Sequence, residues 1–341
     1  MIVDLPDTTT SAVSKALVKI REEGGAVALG RVLTLVIAAP LGDEEEAIEA
    51  ANDASREHPM RVIVLSKNPD PKAKEDPRLD AQIRVGGDAG ASEVIVLRAY
   101  GPTASDEEGL VTSLLLPDAP VVVWWPSHGP AEPSSSPLGK IAQRRITDAA
   151  EAPNPVDALK NLGAHYAPGD TDFAWTRLTL WRAQLAAVLD QPPFEPVTAV
   201  TVSGSSDSPS TELLAAWLQL ALEVKVTMEI TSPVHGSSGI HGVRLERESG
   251  VIDLERVTPA VATLVQPNQP THDISLPRRN LRDCLAEELR RLDPDDLFGE
   301  VVQRGVPQLA APAPRRARAR SPKARSPKAG SARGSRGKAA S

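Results

Sequence analysis

The sequence predicts an α/β protein: an N-terminal Rossmann-like, largely parallel sheet with flanking helices, then a mixed α/β C-terminal half and a basic tail. Apolar runs of strand length alternate with helical periodicity through the first 126 residues. Several of those runs are apolar at nearly every position, as strands covered on both faces require. Beyond residue 239 the pattern becomes short alternating strands, an antiparallel signature. At 341 residues the chain is also longer than one core usually serves. The expected divisions are an N-terminal α/β domain (1–126), a Pro/Ser/Gly-rich connecting region (127–170), a C-terminal mixed α/β domain (171–305) and a disordered Ser/Pro/Lys/Arg tail (306–341).

Each element has its own signal. Residues 8–23 place Val13, Ala16, Leu17 and Ile20 on one helical face, with Gly24-Gly25 as the stop. "RVLTLVIAAP" (31–40) is a strand. "GDEEEAIEAANDASREH" (42–58) is a helix whose acidic first turn suits the positive end of the helix dipole. "MRVIVLSKN" (60–68) is a second strand, and "DAQIRV" (80–85) pairs with "SEVIVLRAY" (92–100) around the turn "GGDAGA". A helix near 106–116 leads into the strand "PVVVWW" (120–125). Residues 127–170 carry only short helical pieces. "TDFAWTRLTLWRAQLAAVLD" (171–190) reads as one long helix stopped by Pro192-Pro193. A strand (197–204), a Ser- or Thr-capped helix (208–223) and a strand (224–230) follow, then the antiparallel strands. Two helices broken at Pro294 close the ordered part.

Charge and composition narrow the function. Residues 312–341 hold ten Lys/Arg and no Asp/Glu, so the rest of the chain carries −7 − 10 = −17. The tail, with "SPKARSPKA", has too few apolar residues to offset its ordering entropy and is expected to be disordered. It can meet phosphates electrostatically, stay solvated, or lie on the acidic body. No run of about 18 apolar residues is present, which argues against a membrane span, and no signal-peptide pattern opens the chain. A cytoplasmic protein is expected. The single Cys284 cannot form an internal disulfide.

Catalytic patterns are missing from the sequence. The first strand–helix junction, "VIAAPLGDEEEA", has one glycine and carboxylates where a dinucleotide's phosphates would sit. "VSGSSDSPSTELL" (202–214) is better placed for an anion, but a helix cap with a flexible lead-in is the favoured reading. His58, His128, His165, His235, His241 and His272 fall at no metal-ligand spacing. Cys284 shares an apolar helical face with Leu281, Leu285 and Leu289, a core position. No catalytic, cofactor or metal residue is assigned.

Tryptophan and arginine carry what remains. Trp124 and Trp125 end a strand and must point to opposite faces, at the carboxyl edge where such sheets bind ligands. They are either one core residue under each helical layer, or part of a sticky edge that "PSHGPAEPSSSP" covers poorly. On a helical wheel Ala174, Trp175, Leu178, Trp181, Leu185 and Leu189 form one stripe, and Arg182 falls inside it. A charge there needs either an internal acid, such as Asp148, or a partner's. Interfaces are enriched in these two residue types.

"PDAPVVVWWP", "PLGKIAQRRITDA", "TDFAWTRLTLWRAQLAAVLDQPP" and "LAEELRRLDPDD" together resemble the marker segments of the glucose-6-phosphate dehydrogenase assembly protein (OpcA) family. The resemblance runs from about Val13 to Arg304 and leaves out the tail. It implies a non-catalytic partner that binds glucose-6-phosphate dehydrogenase in the oxidative pentose phosphate pathway and promotes its assembly or activity. Activation would follow from tighter binding to the enzyme's active conformation. The candidate partner contacts are Trp124, Trp125, Arg144, Arg145, Asp148, Trp175, Arg177, Trp181 and Arg182. Some relatives answer to thioredoxin-type redox control, but one cysteine excludes an internal dithiol switch here. Two rival readings remain at this point: a degenerate Rossmann-like enzyme acting on a sugar phosphate, and a nucleic-acid-associated protein working through the tail.

Overall fold

A computed structural model describes residues 1–23, 30–68, 70, 74–86, 93–127, 129–231, 239–309 and 313–314. The first half runs β1 (Ile2–Leu5), α1 (Thr10–Glu23), β2 (Leu33–Pro40), α2 (Glu45–Ala54), β3 (Met60–Lys67), β4 (Arg78–Val85) and β5 (Glu93–Tyr100). It continues with α3 (Glu107–Thr112), β6 (Val121–Trp124), α4 (Pro137–Lys140), β7 (Arg144–Thr147), α5 (Pro155–Ala164) and β8 (Asp170–Asp172). These eight strands make one sheet in the order β1-β4-β5-β3-β2-β6-β7-β8. Strands β5, β3, β2, β6, β7 and β8 are mutually parallel, and the edge pair β4 and β1 is antiparallel.

The period of two along these strands sorts their side chains into two cores. Leu35, Ile37, Val62, Val64, Val122 and Trp124 face α2; Val36, Ile63, Leu65, Val123 and Trp125 face α1 and α3. Burying each large aliphatic side chain contributes roughly 1.5–3 kcal/mol, which is why so continuous an apolar run becomes a central strand. The sheet continues past residue 126. Residues 127–170, read from sequence as a connecting region, add β7 and the start of β8 to it.

The second half holds α6 (Phe173–Thr176), α7 (Thr179–Leu189), β9 (Ala199–Gly204), α8 (Pro209–Leu222), β10 (Val226–Ile230), β11 (Ile240–Arg247) and β12 (Gly250–Arg256). Then come β13 (Val261–Val265), β14 (His272–Ser275), α9 (Leu281–Arg290), α10 (Asp296–Glu300) and β15 (Ala313–Pro314). The second sheet has the order β14-β13-β12-β11-β9-β10-β15. Its four strands β11 to β14 are antiparallel, as the alternating sequence predicts. Helix α8 is the crossover between parallel β9 and β10, and its Ser208 cap accepts the Thr211 N–H at 3.2 Å. A third core gathers this sheet, α6 to α8, α5 and the turns after α10.

One expectation is corrected. The single helix 171–190 is β8, α6 and α7. Its first residues add to the sheet edge through Arg145↔Asp170, Ile146↔Thr171 and Thr147↔Asp172. The helix then breaks after Thr176, whose carbonyl accepts from Thr179 Oγ1 (3.0 Å) and Arg279 Nη1 (2.9 Å). Helix α9, placed by sequence in the C-terminal domain, packs Cys284, Leu285, Ala286 and Leu289 into the first sheet's core beside α2. Apolar spacing defines a helix's face but not which sheet receives it.

The basic segment 315–341 lies outside the described residues. Strand β15 ends immediately before it, with Ala313 and Pro314 paired to Glu229 and Ile230. Deleting 315–341 should therefore move the melting temperature by no more than about 1 °C, as for a terminus with no docked apolar pattern. A drop of several degrees in a thermal melt would mean that the tail is part of the folded body.

Candidate functional site

The sequence "RRIT" of β7 puts two arginines side by side, and the strand sends them to opposite faces. Arg144 crosses to α9, where Nε and Nη2 donate to Glu288 Oε2 (3.0 and 2.5 Å) and Nη1 to the Asp293 carbonyl (2.8 Å). Thr176 and Thr171 hydroxyls complete the Glu288 carboxylate. Arg145 is bound to Asp170 and donates to the carbonyls of Ala142 (3.0 Å) and Pro168 (2.6 Å). Gly169, at φ +96°, passes so close that a Cβ would stand 2.5 Å from the Gln143 carbonyl oxygen. Only glycine suits that turn.

Arg177, just after α6, forks onto Asp148 at 2.7 and 2.6 Å. Burial pulls the Arg177 pKa down, but the Asp148 bond and charge outweigh it, and the net direction is up. Asp172 is fully buried beside them and accepts from Thr147 Oγ1 (2.6 Å), Ala149 N (2.9 Å) and Ala174 N (2.8 Å). Desolvation, then the Asp148 charge, pushes its pKa up to about 7. These bonds tie α9 to β7, β8 to β7, and α6 to the β7 turn. Such buried pairs add little net stability, yet removing one partner alone is costly because it strands the other charge.

The Asp172 shift has a sign that can be tested. The unfolded chain releases this proton near the ordinary carboxylate pKa, while the folded chain holds it until about 7. Between those values the folded state binds more protons, so this group's contribution to stability falls as pH rises, by an order of a few kcal/mol. The stability advantage of wild type over Asp172→Asn should therefore be larger at pH 5 than at pH 7.5. Equal urea midpoint differences at both pH values would show that Asp172 is ionised throughout.

The tryptophans resolve the choice left open above. Trp124 is 0% exposed and lies 5.4 Å from Phe173, ring centroid to centroid; Trp125 is 6% exposed and packs in the opposite layer. They are core residues of the sheet's carboxyl edge, one on each side. Trp175 and Trp181 are buried in the third core, and Trp175 Nε1 donates to Asp295 Oδ2 at 2.8 Å.

Arg182 does not reach Asp148, which Arg177 occupies on both oxygens. Its guanidinium lies 3.8 Å over the Trp175 ring and donates weakly to Thr179 Oγ1 at 3.4 Å. Burial lowers its pKa, and Asp295, Glu287 and Glu288 pull the other way from beyond 4 Å. Arg256 repeats the arrangement over Trp181 at 5.2 Å, with Nη2 on the Leu276 carbonyl at 2.9 Å. The segment "LAEELRRLDPDD" marks the stretch that holds Glu288 and Asp295 but not what they bind, and nothing marked Arg256, because each lies some 75 to 145 residues from its partner.

The carboxyl ends of β6, β7 and β8 border a cavity of about 340 Å³ lined by Ser127, Thr147, Asp148, Asn154 and Asp172 among others. At the α2 start, Glu44 Oε2 takes the Gly42 N–H at 2.6 Å, and Arg98 and Arg84 engage Glu44 and Glu45. The chain's own carboxylate thus occupies a donor that a phosphate would need. Cys284 is buried, and desolvation raises its thiol pKa to about 12, so it stays a thiol. Among the described residues no group of three or more His, Cys, Asp or Glu is placed to hold a metal. No described helix is long and apolar enough to cross a membrane. His128 and His235 lie outside the described residues.

Arginine–carboxylate pairs that tie α9, β8 and α6 to β7 or the turn after it, and two arginines stacked on tryptophans, mark the site in this two-sheet α/β protein. Residues 51–164 match the profile of the glucose-6-phosphate dehydrogenase subunit N-terminal domain, and residues 168–302 that of its C-terminal domain. The chain belongs to the glucose-6-phosphate dehydrogenase assembly protein (OpcA) family. A putative OxPP cycle protein OpcA from Synechocystis sp. is 26% identical over 167 residues, 46% of this chain. That match spans only 34% of the cyanobacterial protein's length. Solved structures with a partial likeness include an oxidoreductase from Sinorhizobium meliloti (11% identity, TM-score 0.45, covering 81% of this chain and 96% of that one). Another is a myo-inositol dehydrogenase from Lactobacillus casei bound to NAD(H) and myo-inositol (11%, TM-score 0.42, covering 82% and 93%). At those values neither carries an argument about this chain.

Proposed function

We propose that this chain is a non-catalytic assembly factor and allosteric activator of glucose-6-phosphate dehydrogenase, acting in the cytoplasm within the oxidative pentose phosphate pathway. The observation that carries the reading is the pair of family profiles, which run almost without a gap from residue 51 to residue 302. The occupied helix start at Glu44 also speaks for a non-catalytic role, since it removes the usual cradle for a dinucleotide phosphate. Activation requires that the chain bind the dehydrogenase's active conformation more tightly than its inactive one. The test is co-purification with the dehydrogenase followed by an activity titration. A saturable rise in turnover, with no turnover by the chain alone, is expected. Dinucleotide reduction by the isolated chain, or no effect on the enzyme at any ratio, would remove the reading.

A further inference from the structure

The arginines of this protein divide into two sets. Arg61, Arg144 and Arg145 are buried and Arg177 is half-buried, and each has a carboxylate within 4 Å. Arg182, Arg247, Arg256, Arg278 and Arg291 have none among the described residues; Arg182, Arg247 and Arg256 are half-buried, and Arg247 lies apart from the others with its Nη1 on the Pro193 carbonyl. The Nε atoms of Arg182 and Arg256 are buried without a hydrogen-bond partner. Arg278 is exposed and lies close enough to Arg256 for the two charges to repel. Burial, then that repulsion, lowers the Arg256 pKa to about 10.

Arg182, Arg256 and Arg278 gather around the start of α7: Arg256 stacks on Trp181, the chain neighbour of Arg182, and donates to the Leu276 carbonyl two residues before Arg278. Arg182 reaches Thr179, which bonds to the Thr176 carbonyl, and Arg279 takes the same carbonyl next to Arg278 in the chain. The nearby acids are already committed. Asp295 accepts from Trp175 and from the Phe298 N–H, Glu287 from Thr179 and Arg279, and Glu288 from Arg144. Stacking on Trp175 and Trp181 holds two guanidiniums in place, so little side-chain entropy remains to be lost on binding. A half-buried cation with no carboxylate in direct contact is costly, and an incoming carboxylate relieves the cost.

We propose that Arg182, Arg256 and Arg278, carried on Trp175 and Trp181, are the docking surface for a carboxylate-bearing segment of the partner protein. This rests on the reading of the chain as a partner of the dehydrogenase. Charge complementarity selects the occupant. Residues 1–311 carry −17, so the body as a whole repels an acidic partner and this cluster is where one can approach. A nucleic acid, with a phosphate every ~1.7 Å, would extend far beyond three arginines onto that acidic body.

The test compares the full-length chain with Arg256→Met, Arg278→Met and the double variant, with Arg56→Met just past α2 as a control of equal charge change. Affinity for the dehydrogenase should fall about tenfold or more for each single variant, as when one member of a desolvated pair is lost. The double variant should also show a shallower salt dependence, and no variant should melt below the parent. A second arm measures binding of a hexaglutamate peptide at low salt; the tail's share is common to all the proteins, so the difference reports the cluster. If the parent fails to bind the dehydrogenase but loses the peptide on mutation, the functional reading falls and the surface stands. Unchanged affinities for both probes would overturn the surface. So would loss of an oligonucleotide instead of the peptide.

Discussion

Replacing Arg144 by methionine should lower stability by about 3–5 kcal/mol, because it strands a buried carboxylate. Glu288 is nearly inaccessible and would keep only the hydroxyls of Thr171 and Thr176 as donors. The Asp293 carbonyl would lose its donor as well. The double variant Arg144→Met/Glu288→Leu should recover at least half of the loss, since it removes both charges together. Urea denaturation reads this as a lower midpoint at constant slope for the single variant. A single-variant loss below about 1 kcal/mol would mean that Glu288 finds water, and that α9 is not held to β7 as described.

Trp124→Ala should cost about 3–5 kcal/mol, the range for emptying a large aromatic site in a packed core. Trp124→Phe should cost much less than its lost volume implies. The Trp124 Nε1 is buried without a hydrogen-bond partner, and phenylalanine removes that unpaired donor along with part of the ring. The stack on Phe173 survives such a change. If either tryptophan instead touched the partner, truncation would weaken dehydrogenase binding while leaving the melt unchanged. The two measurements on one variant separate these outcomes.

The architecture was largely legible in the amino-acid pattern. β2, β3 and β5 are apolar at almost every position, so both faces had to be covered, and a largely parallel sheet with helices on each side follows. The antiparallel β4–β5 pair and the alternation of β11 and β12 were equally direct; the connection "GGDAGA" lies outside the described residues beyond Gly86. Adjacency decided the tryptophans in part: neighbours in a strand must face opposite ways, and Trp124 and Trp125 lie in different cores.

The arginine-rich site was legible only as residue types. The wheel put Arg182 among apolar residues, which is where it lies, over Trp175. Asp148 was one internal acid that Arg182 could have met, and the helix break after Thr176 gives that acid to Arg177 instead. No local rule foretells that Glu288, 144 residues away, meets Arg144, or that Arg256 settles on Trp181.

By itself the sequence determined what is periodic or local: strand and helix identity, the acidic start of α2, the charge contrast between body and tail, and the family segments. Tertiary structure alone decided which carboxylate neutralises which arginine, which sheet receives α9, and which guanidiniums are left unmatched. The division has a physical cause. Backbone propensity and apolar periodicity act over a few residues, whereas a buried charge is answered by whatever the fold brings within about 4 Å, regardless of separation along the chain.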